Sequence, residues 1–198
     1  MSHTHETYPD THHDSYSKTT FGFWVYLLTD FMFLATIFAS YIVLCKNTFG
    51  GLTPRDIFSL PYATIQTLLM LCAAFTSGLA GAYLHRRSKG GTLFFFFLTF
   101  LIGLAFLGMM SHEFSHIFAA GYSWKSTAFL SMYFTLIGMI GLHVIIGLLW
   151  MIILIIPVFK QGITAVSLKR LTCLRMFWQF INFVWVLIFT FVYVLGVI

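Results

Sequence analysis

Charge is what this sequence has least of. Only 9% of its 198 residues are charged, with 11 Lys and Arg against 6 Asp and Glu. The surface of a soluble domain draws on roughly a quarter of all residues being charged, so a water-facing globular fold is excluded. Cysteine is equally scarce. Cys45, Cys72 and Cys173 are odd in number and lack paired spacing, which argues against a disulfide framework and a Cys-based zinc site; they read as small apolar filler. Pro/Gly/Ser-rich linkers, repeats of fixed period and loops long enough for a second soluble domain are also missing.

What remains is apolar: 59% of the residues are hydrophobic and the mean hydropathy is +0.89. A span needs roughly 20 apolar residues to cross about 30 Å of hydrocarbon. Stretches 21–44, 61–84, 92–110, 129–159 and 177–198 meet that length, and Asp30 is the one formal charge inside them. The expected fold is therefore an all-α integral membrane bundle of five helices, preceded by a polar, His-containing tail over residues 1–20. That tail lacks the pattern of a removed signal peptide and reads as part of a retained anchor. Its His3, His5, His12 and His13 read as a solvated cluster rather than a metal site.

Lys18, Arg86, Arg87, Lys89, Lys160, Lys169, Arg170 and Arg175 fall on the side of the N-terminus, whereas Lys46, Arg55 and Lys125 fall opposite. The positive-inside rule then puts the N-terminus in the cytoplasm and the C-terminus outside. The same rule accounts for the net charge of +5 without a nucleic-acid partner. Gly50, Gly51, Pro54 and Pro61 between the first two spans favour an ordered external turn.

In lipid, close helix contact goes through small residues. Ala73, Ser77 and Gly81 form one row on the second helix and Ala74, Gly78 and Ala82 form the adjacent row, a face able to seat two neighbours. The bulky run 94–97 on the third span is expected to meet lipid or loose neighbours.

The chemistry-bearing residues are few. Asp30 lies about 14 Å into its helix, counted at about 1.5 Å per residue, so it has to be neutral, paired or buried against another protein; proton handling and a packing contact remain equally open. His112-Glu113-Phe114-Ser115-His116 matches H-E-x-x-H, which on a helix offers two imidazoles to zinc and a glutamate as general base. The third ligand such a site requires could come only from Asp30 or His143. The plainer reading is that Glu113 and the two histidines cap the end of the third helix. His143 is the single histidine deep in a span, flanked by Gly138, Gly141 and Gly147, which rules out haem held by paired histidines of this chain. Gln66, Gln179 and Asn182 are uncharged amides able to join helices, and Trp178 and Trp185 read as packing anchors rather than redox relays.

Three stretches carry a resemblance in order: Phe21-Gly22-Phe23-Trp24 leading to Asp30; Ile140-Gly141-Leu142-His143-Val144-Ile145-Ile146-Gly147; and Trp178-Gln179-Phe180-Ile181-Asn182-Phe183-Val184-Trp185. The chain resembles subunit III of the haem-copper oxidases. Its Gly50-Gly51 turn, the run Asp56-Ile57-Phe58-Ser59-Leu60-Pro61, and Gly108-Met109 before Glu113-Phe114 make it most similar to the five-helix form of the cytochrome o ubiquinol oxidases. The resemblance implies an accessory subunit, itself free of haem and copper, in a bacterial terminal oxidase. That complex oxidises ubiquinol, reduces oxygen to water and pumps protons, with haem and copper in the partner large subunit. It further implies packing against subunits I, II and IV, phospholipid held between helices, support for assembly, stability and oxygen and proton access, and residence in the bacterial inner membrane.

The family usually has His at position 140, Gln or Glu at 110, His at 179 and Asp at 182, and close relatives have Glu at 66. This chain has Ile140, Met110, Gln179, Asn182 and Gln66. Ile140, Gln179 and Asn182 read as joint replacements of one interacting cluster. Asp30 and Glu113 are then the carboxyl groups left for any proton role. The rival readings are a subunit III-like accessory protein of a nitric oxide reductase and an intramembrane zinc protease.

Overall fold

The computed structural model describes residues 11–45 and 59–197, with side chains from residue 16 to 45 and 59 to 196. The His3 and His5 part of the tail, the side chains of His12 and His13, and the segment holding Lys46, Gly50, Gly51, Pro54, Arg55 and Asp56 lie outside the described residues. Five helices are long and apolar enough to cross a membrane. They are α1 (Thr11–Leu44), α2 (Leu60–His85), α3 (Lys89–Ala119), α4 (Ala128–Gln161) and α5 (Ala165–Ile188). The fifth continues through a π-helical stretch, Phe189–Val194, into a last turn, Leu195–Val197. No strand occurs among the described residues.

The helix starts follow local chemistry. Pro61 occupies the first turn of α2, where its missing N–H has no intrahelical partner to lose. The Thr127 side chain caps α4 by accepting from the Leu130 N–H, and Thr164 caps α5 by accepting from the Ser167 N–H. The tight turn from α2 to α3 holds Arg87 at a φ of 53°, and Gly162 ends α4 at a φ of 79°, a conformation that suits a residue without Cβ.

Three helices run well past the expected spans. α1 begins at Thr11, so residues 11–20, expected as part of the polar tail, are helical. α3 runs on to Ala119, so Glu113 lies inside the helix and does not cap its end. α5 begins at Ala165 and takes in Lys169, Arg170 and Arg175. Hydropathy marks where the apolar run stops, but a helix keeps its own hydrogen bonds into the headgroup zone and long basic side chains snorkel there.

α2 and α3 form an antiparallel hairpin with the most extensive contact in the bundle; α5 packs on α2 and α4, α4 also packs on α3, and α1 rests on α4 and α5. α5 is central and α1 peripheral: half of the α5 span is buried inside the chain, against 17% of the α1 span. α3 buries Thr92, Phe96, Thr99, Gly103, Phe106 and Met110, spaced alternately four and three apart as a helix seam requires. Phe96 is therefore in the core while Phe94 and Phe97 are exposed, so the phenylalanine run does not meet lipid all round. Across the hairpin the Thr76 and Thr99 hydroxyls share a hydrogen bond of 2.8 Å.

Candidate functional site

Three polar constellations stand inside the bundle. The first is a hydrogen-bonded acid–imidazole pair between α1 and α4. His143 Nε2 lies 3.0 Å from Asp30 Oδ2 and 3.2 Å from Oδ1, while His143 Nδ1 lies 2.7 Å from the Met139 carbonyl oxygen. The two side chains are 7% and 13% exposed, and the ring stacks on Phe177. A carbonyl can only accept, so Nδ1 carries a proton. The contact at Nε2 then needs a second proton, sited on the ring or on the carboxyl. Both forms have no net charge and exchange by moving one proton along one hydrogen bond. That lets an acid sit in a span without the cost of a lone charge.

The second constellation surrounds Glu113. Oε1 accepts from Tyr133 at 2.6 Å and from Tyr193 at 3.1 Å, and Oε2 accepts from Gln66 Nε2 at 3.1 Å. The two tyrosine oxygens are themselves 3.1 Å apart. α2, α3, α4 and the π-helical stretch each supply one member. Tyr193 is buried within that stretch, and π-helical turns inside α-helices are frequent at functional sites. Gln66 Oε1 is buried without a hydrogen-bond partner.

The third is a ladder between α5 and α2. Gln179 Nε2 donates to the Ala74 carbonyl at 2.9 Å and lies 3.5 Å from Ser77 Oγ; Asn182 Nδ2 donates to the Met70 carbonyl at 2.6 Å; Trp185 Nε1 donates to Thr67 Oγ1 at 3.1 Å. The donors climb α5 as their acceptors descend α2, as antiparallel helices demand. Trp178 belongs to the same face, but its Nε1 is buried unpartnered and its ring fills the space over Gly103.

Ala73, Ser77 and Gly81 are buried, Ala74 and Gly78 are half-buried and Ala82 is exposed. A Cβ at Gly81 would lie 2.5 Å from Arg175 Cδ, and Gly78 faces Gln179, so this side of α2 is the seat of α5. Of the glycines near His143, Gly141 admits the Met110 sulfur, Gly147 admits Phe177 and Trp178, and Gly138 faces open space. Gln179 and Asn182 both turn to the α2 backbone, whereas Ile140 is buried in the apolar core of α4.

His112 and His116 are exposed while Glu113 turns inward to the tyrosines. Among the described residues no group of three or more His, Cys, Asp or Glu gathers as a metal site would require. His143, the buried histidine, has both ring nitrogens engaged, so the residues present do not fit a haem axial ligand.

The pairing of Asp30 with His143 and the parts played by Tyr133, Tyr193 and Thr67 are absent from the sequence reading. The available signal was weak: two tyrosines and two ionisable groups inside apolar runs, each in want of a partner.

The chain is 46% identical over 187 residues to the cytochrome bo(3) ubiquinol oxidase subunit 3 of Pseudomonas aeruginosa, covering 94% of this chain and 90% of that one. It is 41% identical over 186 residues to the protein of the same name from Pseudomonas putida, with 94% and 90% covered. To the quinol oxidase subunit 3 of Bacillus spizizenii it is 35% identical over 175 residues, covering 88% and 86%. No family model matches the chain.

Proposed function

This chain belongs to the subunit 3 family of bacterial quinol oxidases, and from that membership we propose how it serves the complex. It is a multi-pass membrane protein and an accessory subunit of a terminal quinol oxidase, an oxidoreductase whose redox step this chain does not perform. The substrate is ubiquinol, with oxygen reduced to water and protons pumped in the partner subunits. Haem and copper reside in the large subunit. The chain packs with subunits I, II and IV, retains phospholipid, and supports assembly, stability and access of oxygen and protons. It sits in the inner membrane with its N-terminus in the cytoplasm and its C-terminus in the periplasm, an orientation supported by eight basic residues on one side against three on the other.

The observation that carries this reading is near full-length similarity to named oxidase subunits, joined to the way the polar groups are used. The Asp30, Glu113, Gln179 and Asn182 side chains all bind other helices of the same chain, as expected of a scaffold. The similarity favours the quinol oxidase over a nitric oxide reductase accessory protein or a zinc protease. The test is to tag the N-terminal tail, extract in mild detergent, and record the reduced-minus-oxidised haem spectrum with quinol-driven oxygen uptake. Haem and oxidase activity should co-purify with the chain. Recovery of the chain alone and colourless under gentle extraction would refute the proposal.

A further inference from the structure

Hydroxyls inside the bundle mostly donate to backbone carbonyls, as Thr67, Thr92, Thr99 and Thr172 do one turn back along the chain. Tyr133 does not. Its phenol donates to Glu113 Oε1 at 2.6 Å, within the range of about 2.5–2.7 Å for an O–H bound to an ionised oxygen. Tyr133 and Tyr193 are fully buried, and the Tyr193 oxygen stands 3.1 Å from both the Tyr133 oxygen and Glu113 Oε1. Gln66 Nε2 donates to Oε2 at 3.1 Å. With donors aimed at both of its oxygens the carboxyl is an acceptor only, and so it can take a proton.

A phenol resists oxidation by electron loss alone, because the cation left behind is a strong acid. A base already hydrogen-bonded to the phenol removes that obstacle, since the proton leaves with the electron. The neighbouring aromatic donors have partners of another kind. Tyr62 donates to the Met109 carbonyl at 2.7 Å. Trp185, in ring contact with Tyr193 at 6.1 Å, donates to the Thr67 hydroxyl. Neither a carbonyl nor a hydroxyl is a base at neutral pH, so Trp185 stays a packing anchor. An electron can tunnel through the packed core to or from any of these rings, but only the Tyr133 proton has a carboxylate to receive it.

We propose that Tyr133 is a redox site that quenches oxygen-centred radicals, the class of oxidant that incomplete oxygen reduction yields. Tyr133 gives one electron to the radical and its phenolic proton to Glu113 Oε1. The products are a neutral tyrosyl radical, a neutral carboxylic acid and the anion of the quenched species, which takes a proton from water. Tyr193 can then donate its hydroxyl to the Tyr133 oxygen and stabilise the radical. A one-electron reductant such as quinol reverses both moves, the Glu113 proton returning as the electron does. This is a side reaction, separate from the redox step of the oxidase. The source of the oxidant rests on the oxidase reading, whereas the site rests on its own geometry.

The test supplies its own oxidant, so it can fail in an active oxidase and succeed in an inactive one. The intact complex, with 3,5-difluorotyrosine at position 133, is oxidised by flash excitation of tris(bipyridine)ruthenium with persulfate, frozen, and read by electron paramagnetic resonance. Fluorine splitting marks a radical at that position and separates it from any other tyrosine of the complex. A fluorine-split signal should form, form more slowly in heavy water, and be lost when Glu113→Gln is added, because the amide keeps an acceptor oxygen but does not hold the proton. Absence of the split signal overturns the proposal. So does its persistence in Glu113→Gln, which would show that the carboxylate only positions the phenol. If Glu113→Gln does not assemble, the heavy-water comparison decides in the otherwise wild-type chain, and an unchanged rate of formation overturns the proton transfer and the proposal with it.

Discussion

Replacing Asp30 and His143 singly and together tests whether α1 is held to α4 by a shared proton or merely by apolar contact. In Asp30→Leu the ring keeps its Nδ1 bond to Met139 and loses only the partner of Nε2, a buried orphan costing about 1–3 kcal/mol. In His143→Leu the acid, 13% exposed, loses its donor, and breaking a buried pair from that side costs about 3–5 kcal/mol. Interhelical bonds in membranes fall toward the low end of such ranges, which puts the losses at about 1 and about 3 kcal/mol. The larger figure is more than a hundredfold in the ratio of native to opened chain. Asp30→Asn keeps an N–H facing Nε2 and should cost least. Asp30→Leu/His143→Leu removes both groups and should recover most of the His143→Leu loss. The assay is thermal dissociation of this subunit from the detergent-purified complex, scored on native gels. Additive single effects, or a His143→Leu variant no weaker than Asp30→Asn, would refute the shared-proton argument.

Asp30→Asn should also leave assembly intact while altering sustained turnover, followed as the decay of oxygen uptake; a complex that fails to assemble counts against it. Glu113→Leu removes the acceptor shared by Gln66, Tyr133 and Tyr193 and leaves the Gln66 amide N–H without it, so it should destabilise by about 1–3 kcal/mol; Glu113→Gln keeps an acceptor oxygen and should cost less, and equal dissociation temperatures for the two would sink the cluster. Gly103→Ala meets the rigid Trp178 ring at 2.9 Å and should cost about 1–3 kcal/mol, whereas Gly81→Ala meets a flexible arginine and should be milder; the order is read from dissociation temperatures. His112→Ala/His116→Ala should leave quinol oxidation unchanged and the bound-zinc content unaltered by elemental analysis, and a fall in both would revive the metal reading.

The number of spans was legible because about 20 apolar residues in a row leave little alternative to crossing a bilayer. Helix ends were not, since the stretches that extend α3 past Met110 and α5 back to Ala165 mix polar and basic residues with apolar ones, which breaks the hydropathy run without breaking the helix. Asp30 was marked by its depth as needing a partner, yet His143 is 113 residues away, and only helix packing brings the two together. Glu113 was drawn toward a sequence motif with its flanking histidines. A helix turns about 100° per residue, and that rotation sends Glu113 inward while His112 and His116 face out. Local patterns fixed neighbours on one helix, and the unread part of the site is made of neighbours on different helices.

That division bears on which polar joins of the bundle tolerate change. Asn182 and Gln179 each donate to an α2 carbonyl. A backbone carbonyl is an acceptor whatever the sequence of α2, so an amide can take over the joining of α5 to α2 without a matching change opposite. Ile140 instead buries a hydrocarbon side chain in the core, where no polar partner has to be found. The Asp30–His143 pair allows no such freedom, because each side chain is the other's partner and neither faces a backbone substitute at that contact. The ladder can therefore drift one residue at a time, whereas Asp30 and His143 can be replaced only together, because loss of either alone leaves the other buried without its partner.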